Sequence, residues 1–272
     1  MKVQYDIQFQ PELTQNAWEQ LKQFTDARIA LGRVGGSQPT KPSLEFQLAH
    51  AQAKDAVLKV LDVQALVEQL VKLNSDILQI SSCAEDKDLY LKRPDLGREL
   101  SEASRQLLKQ YQQQHQAEYD VLIVAGDGLS ARAIEDNAAH FIAALQYSCI
   151  NEGWSVAPLV IATGSRVALG DEVAQILNAK MLVMLIGERP GLSSPDSMGI
   201  YYTWNAYKGC HDAMRNCISN VRTAGLSERV AIQRLMALMR KSRQLQLSGV
   251  KLKDQHEVAV ESVAQATAKR IF

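Results

Sequence analysis

The sequence feature that most constrains the fold is a continuous apolar run over residues 181–186, bounded by a lysine and a glycine. A run without polar positions predicts a strand buried on both faces, as in a parallel sheet. Residues 121–125 and 156–162 form two further apolar runs of this kind. Helical patterns separate the three runs, at 129–150 and 171–178. Alternation of strand and helix predicts an α/β fold with parallel strands.

The region before these strands has a different pattern and predicts a small helical lobe. Apolar residues at helical spacing predict one helix over 12–31 and two more within 44–72. A glycine cluster between them predicts a tight turn, and Ser43 is a candidate N-cap for the next helix. We therefore predict two domains, a helical lobe over residues 1–75 and a sheet domain over 76–272. The remaining predicted elements are a strand at 77–80 and helices at 97–116, 211–219, 227–246 and 257–271.

Composition excludes several classes of protein. Thirty basic residues balance thirty acidic ones, so nucleic-acid binding lacks its usual electrostatic driving force. The four cysteines are too few and too scattered for a disulfide framework, match no standard zinc spacing, and fit a reducing cytosol. There is no secretory signal at the start and no apolar run near the ~20 residues that span a bilayer. We expect a cytoplasmic protein that binds neither nucleic acid, membrane nor metal.

Three loops follow the three predicted parallel strands, at residues 126–130, 163–167 and 187–191. Because ligands bind outside the carboxyl ends of such strands, we expect these loops to form a ligand site together. The third loop opens a stretch rich in glycine and proline over 187–199. It carries Glu188 and Arg189, which are a solvated pair if exposed, or an acceptor and a fork of donors if they face a ligand.

The loop after the first strand argues against a dinucleotide site. It lacks the third glycine of the Gly-x-Gly-x-x-Gly pattern, which is Ala131 here, and it places Asp127 where a carboxylate would repel a diphosphate. Asp127 or Ser130 has a simpler interpretation as a cap of the following helix. Ser130 also lacks the flanking glycine of a nucleophile elbow. We predict no catalytic residue in this chain.

Several motifs give the chain a specific resemblance. They lie at 46–51 (Phe-Gln-Leu-Ala-His-Ala), 127–131 (Asp-Gly-Leu-Ser-Ala), 187–193 (Gly-Glu-Arg-Pro-Gly-Leu-Ser), 215–220 (Arg-Asn-Cys-Ile-Ser-Asn) and 246–250 (Gln-Leu-Ser-Gly-Val). In this order and over nearly the whole chain, they resemble the small subunit of ethanolamine ammonia-lyase. The resemblance implies an N-terminal helical lobe followed by a Rossmann-like parallel-sheet domain.

The resemblance also implies a function. In this family the small subunit packs against a large catalytic subunit, several such heterodimers form one complex, and adenosylcobalamin lies between the two subunits. The large subunit binds ethanolamine, which is converted to acetaldehyde and ammonia by a radical mechanism. Family members from bacterial microcompartments often carry an additional N-terminal helix for encapsulation. Here the chain begins close to the helical lobe, so we do not expect that helix.

By the same resemblance, the cobalamin contacts of this chain are Val167, Glu188 and Cys217. The only Asp-x-His sequence ends at His256 and lacks the glycine of a cobalt-binding histidine motif, so we expect no cobalt ligand from this chain. Glu188 follows a strand and is not part of it, so we expect its removal to leave folding unchanged. Two alternatives stay open, a nucleotide-binding Rossmann enzyme and a structural partner subunit that contacts no ligand.

Overall fold

The computed structural model describes residues 17–73 and 76–252. The chain divides into two compact units, Met1–Ala51 and Gln52–Phe272. Residues 52–73 therefore belong to the same compact unit as the sheet. The division into a helical lobe over 1–75 and a sheet domain over 76–272 stays a prediction. The helix predicted at 257–271 and the Asp-x-His sequence at 254–256 lie outside the described residues.

In the first unit, residues Ala17–Phe24 form a 3-10 helix, so the described part of the helix predicted at 12–31 is shorter and of a different type. Its apolar side chains, such as Phe24, are exposed, and a helix without packing on one face has little to stabilise it. Val34 and Ser37 exchange both backbone hydrogen bonds, which confirms the predicted tight turn. Helix α1 spans Thr40–Leu58, so it begins in the first unit and ends in the second. It begins before the predicted cap Ser43, since a proline in the first turn loses no helical hydrogen bond.

The described part of the second unit contains one six-stranded sheet, which confirms the α/β class. Its order is β1-β3-β2-β4-β5-β6, and the first four strands in that order are parallel. Strands β5 and β6 extend the sheet in antiparallel pairing. The strands are β1 Ile77–Ser81, β2 Tyr119–Gly126, β3 Leu159–Thr163, β4 Ala179–Gly187, β5 Met198–Trp204 and β6 Arg215–Val221.

The segment predicted as a helix at 211–219 is the clearest correction. It contains a single 3-10 turn, Asp212–Met214, and then strand β6. Ile218 and Val221 are buried there, between the exposed Cys217, Ser219 and Asn220. Pairing with β5 overrides the weak helical pattern, because it satisfies the backbone of β6 along one edge.

Helices cover both faces of the sheet and explain its apolar strands. Alternate residues of β2 enter two separate cores, with Ile123 in one and Leu122 in the other. The first core includes helices α2 (Val63–Leu70), α5 (Ala131–Asn151) and α7 (Glu228–Leu245), and the second includes α4 (Glu102–His115) and α6 (Leu169–Ile176). A short helix α3 spans Lys87–Lys92.

Local capping sets where two of these helices begin. Of the two predicted caps of α5, Asp127 and Ser130, it is Ser130 that caps the helix, by accepting from the Ala133 amide at 3.2 Å. Ser101 accepts from the Ser104 amide, so α4 begins at Glu102 and not at residue 97. No helix among the described residues is long and apolar enough to cross a membrane.

Candidate ligand site at the carboxyl edge of the sheet

The loops after β2, β3 and β4 meet at one edge of the sheet, as predicted. Asp127 connects the first two loops, because its carboxylate accepts from the amides of Gly164 at 3.0 Å and Ser165 at 2.9 Å. The Leu129 amide connects the first loop to the third by donating to the Gly187 carbonyl at 2.9 Å. The three loops therefore form one hydrogen-bonded wall.

Two glycines allow the first and third loops to touch through their backbones. A Cβ atom on Gly187 would lie 2.0 Å from the Ser130 carbonyl oxygen. A Cβ atom on Gly128, whose φ is +55°, would lie 2.3 Å from the Gly187 carbonyl oxygen. There is no gap here for a diphosphate, and the Leu129 amide already has an acceptor. The structure thus gives a physical reason against a dinucleotide at this loop.

Two of the three predicted contact residues line one cavity at this edge. The cavity has a volume of about 400 Å³. Val167 enters from the loop after β3 and Glu188 from the loop after β4. Other lining residues that carry polar or aromatic groups are Tyr90, Arg166, Arg189 and Tyr201.

Cys217, the third predicted residue, lies directly beside this cavity. It is exposed on β6 and is the register partner of Tyr201 on β5. Burial raises the pKa of the Tyr201 hydroxyl, and the neighbouring Cys217 and Glu188 raise it further. The Tyr201 hydroxyl and the Cys217 thiol also share a side-chain hydrogen bond, so these two groups meet at the edge of the cavity.

Glu188 has partners within the chain that the sequence did not indicate. Its carboxylate accepts from the hydroxyls of Ser197 and Ser219, both at 2.5 Å, and from the Asn220 amide at 3.2 Å. It therefore ties the loop after β4 to β6, and the expectation that folding is insensitive to Glu188 needs correction. A carboxylate offers roughly four acceptor positions, so these three bonds leave about one for a ligand.

A larger cavity of about 850 Å³ lies at the ends of β1 and β3. Its lining includes hydroxyls of Ser81, Ser82 and Ser101, but none of the three predicted contact residues. Lys87 connects the two regions, since it lines the larger cavity and donates to the Gly128 carbonyl at 2.9 Å. We place the candidate site at the smaller cavity, because the predicted residues converge there.

The role of Asp127 in this wall gives a testable prediction. Asp127→Ala leaves the amides of Gly164 and Ser165 without an acceptor, so we expect the free energy of unfolding to fall by about 2–4 kcal/mol. Asp127→Asn keeps one acceptor oxygen and should cost less. Urea unfolding, followed through the fluorescence of the buried Trp154, measures the loss.

The matched control is Asp136→Ala, on an exposed part of α5. Its ion pair with Arg132 is exposed, so its removal should change stability by no more than about 0.5 kcal/mol. Equal stability of the two alanine variants would show that the Asp127 carboxylate does not hold the loops together.

Comparison with known proteins gives a consistent result. The family model described as ethanolamine ammonia-lyase light chain matches residues 15–253. A Pseudomonas fluorescens protein named ethanolamine ammonia-lyase small subunit is 51% identical over 259 residues, which covers 95% of this chain and 94% of the relative. A Pseudomonas aeruginosa protein of the same name is 50% identical over 254 residues, with 93% of each chain covered. One from Pseudomonas putida is 51% identical over 244 residues, with 90% of each covered.

Proposed function

The chain belongs to the family of ethanolamine ammonia-lyase small subunits, and from this membership we propose that it forms one wall of an adenosylcobalamin site in a two-subunit lyase. The name of its relatives implies a large partner subunit. We propose that this partner supplies the opposite wall and binds ethanolamine, which the complex converts to acetaldehyde and ammonia. The observation that carries the proposal is the convergence of Val167, Glu188 and Cys217 on one edge of the sheet.

The residues present fit part of a cobalamin. A cavity of about 400 Å³ lies near the lower end of the range that holds drug-sized ligands, and cobalamin is larger. The small subunit can therefore cover only part of the cofactor. The amide side chains around a corrin ring donate hydrogen bonds, and Glu188 has about one acceptor position left for them. Val167 offers a half-buried apolar surface beside that position.

In this arrangement the chain binds and orients but does not react. Adenosylcobalamin, when bound, supplies an organic radical through cleavage of its cobalt–carbon bond. Glu188 would hold one edge of the cofactor through its remaining acceptor position, beside the hydrogen-bonded pair of Tyr201 and Cys217. The wall also shields that edge from water, because its loops are bonded to each other. We assign no catalytic residue to this chain.

The two alternative functions have less support. A nucleotide-binding enzyme needs free loop amides, whereas the Leu129 amide is bonded to Gly187 and those of Gly164 and Ser165 are bonded to Asp127. A partner subunit that contacts no ligand needs no polar cavity at the sheet edge. We also propose that several heterodimers form one complex. This complex lies in the cytoplasm, either free or inside a microcompartment.

Co-expression with a candidate large subunit tests the proposed function. We expect the purified complex to show the absorption spectrum of bound cobalamin and to release ammonia from ethanolamine. The isolated small subunit should show no turnover with added adenosylcobalamin, because in this proposal ethanolamine binds to the large subunit. Turnover by this chain alone, or a complex that binds no cobalamin, would contradict the proposal.

A further inference from the structure

Arg166 lines the candidate cavity without an anionic partner among the described residues. Its Nε atom is buried and donates to no acceptor. Several buried or half-buried arginines of the sheet unit have such partners: Arg105 pairs with Glu172 and Arg215 with Asp171, and the more exposed Arg240 pairs with Glu152. An arginine that lines a cavity and has no such partner in the described part of the chain is a candidate for binding an anion from outside.

The guanidinium of Arg166 is held in place before any ligand arrives. Its Cζ lies 4.3 Å from the centre of the Tyr90 ring, in cation–π contact. The Tyr90 hydroxyl donates to the Ser165 carbonyl at 3.2 Å, which fixes the ring. Gly97 makes room for the stem, because a Cβ there would lie 2.9 Å from Cγ of Arg166. The Arg166 amide also donates to the Gly97 carbonyl at 2.7 Å.

The charges around Arg166 leave it uncompensated. Lys87 stacks on the same Tyr90 ring at 4.9 Å, but its ammonium lies 4.0 Å from the Asp127 carboxylate. Glu188 lines the same cavity, but its bonds go to Ser197, Ser219 and Asn220 and not to Arg166. The lining of the cavity therefore carries two positive charges, Arg166 and the exposed Arg189, against the one negative charge of Glu188.

We propose that Arg166 binds the phosphodiester of the cofactor's nucleotide loop, an inference that rests on the proposed function. The amides around the corrin ring are neutral, so this phosphodiester is the one anionic group on the cofactor's periphery. The planar fork of a guanidinium matches two oxygens of a phosphate, and charge-assisted pairs of this kind are stronger than neutral ones. The negative charge of the phosphodiester would thus neutralise the positive charge of the Arg166 guanidinium.

Two corrinoids distinguish this contact from others in the same cavity. Cobalamin carries the phosphodiester, whereas cobinamide lacks the whole nucleotide loop. In the complex with the large subunit, Arg166→Gln should weaken hydroxocobalamin binding by at least about 10-fold. It should leave cobinamide binding unchanged. Arg166→Lys keeps the charge but loses the fork, so we expect an intermediate loss for cobalamin. Titration followed by corrinoid absorbance gives both affinities.

The control variant is Arg240→Gln, whose guanidinium pairs with Glu152 at the end of α5 away from the cavity. It should bind both corrinoids as the unaltered complex does. Equal weakening of both corrinoids by Arg166→Gln, or unchanged cobalamin binding, would overturn the assignment of the phosphodiester. Gel filtration measures subunit assembly. Loss of assembly in both Arg166→Gln and Arg166→Lys would show that Arg166 contacts the large subunit, and it would overturn the assignment of the phosphodiester as well. An unaltered complex that binds neither corrinoid would overturn the proposed function itself.

Discussion

Replacing Arg215 with leucine is expected to lower the free energy of unfolding by about 3–5 kcal/mol. Arg215 and Asp171 form a buried ion pair, with side chains only 2% and 1% exposed. Both guanidinium Nη atoms donate to the carboxylate, one of them at 2.7 Å, and Nη2 also donates to the Cys210 carbonyl at 2.9 Å. Burial raises the pKa of Asp171, and Arg215 opposes that effect. Without Arg215, the carboxylate stays buried with no opposite charge.

A second substitution distinguishes two contributions to the free energy of unfolding: the destabilisation by an unpaired buried charge and the net stabilisation by the ion pair. The double variant Asp171→Leu with Arg215→Leu removes both charges, so it should recover most of the stability that Arg215→Leu loses. Urea unfolding of the three proteins measures both effects. The control is Arg240→Leu, which breaks a partly exposed pair with Glu152 and should cost no more than about 1 kcal/mol. A loss in Arg215→Leu no larger than in the control would contradict the expectation.

The position of this ion pair links stability to the candidate site. Asp171 lies in the first turn of α6, four residues after Val167. Arg215 begins β6, two residues before Cys217. The pair therefore joins the two segments that carry predicted cofactor contacts. Loss of the pair should disturb the cofactor wall as well as the fold.

Replacing Glu188 with alanine is expected to weaken cobalamin binding by roughly 10- to 100-fold. A charge-assisted hydrogen bond shielded from water contributes about 1.5–3 kcal/mol, and 1.4 kcal/mol corresponds to a factor of ten. The same substitution removes the acceptor for Ser197, Ser219 and the Asn220 amide. We therefore also expect the free energy of unfolding to fall by about 1–3 kcal/mol. Glu188→Gln keeps one acceptor oxygen and should cost less in both measurements.

Cobalamin titration of the assembled complex measures the affinity, and a thermal melt measures the stability. Glu118→Ala is a matched control, since Glu118 is exposed just before β2, at the opposite end of that strand from the cavity. It should change neither quantity. Unchanged cobalamin affinity together with a lower melting temperature in Glu188→Ala would show that Glu188 stabilises the loop but does not contact cobalamin.

The parallel part of the sheet could be predicted from the sequence because its strands are buried on both faces. Residues 181–186 are apolar throughout, and β4 is buried at all those positions. Strand β6 gave no such signal, since it lies at the edge of the sheet and buries only Arg215, Ile218 and Val221. Strand β5 could have been found from Tyr201, Tyr202 and Thr203, because such residues favour strands. It begins at the end of the glycine- and proline-rich stretch over 187–199, and that stretch concealed it.

The candidate site could be predicted only in part. Glu188 lies at the end of an apolar run, so its position at the sheet edge follows from the sequence. Its bonds to Ser197 and Ser219 do not follow, because they depend on how β4, β5 and β6 are aligned. Arg166 gave no signal either. It lines the cavity with a buried Nε that donates to no acceptor among the described residues, and this arrangement appears only when side chains are placed in space.

The bonded loops after β2, β3 and β4 bear on the order in which a complex can assemble. Asp127 and the Leu129 amide hold these loops together without a ligand. The wall therefore has no folding step to complete when the cofactor arrives, and little chain entropy is lost at that moment. Under the proposed function, no folding step of these loops then fixes the order in which the partner subunit and the cofactor bind.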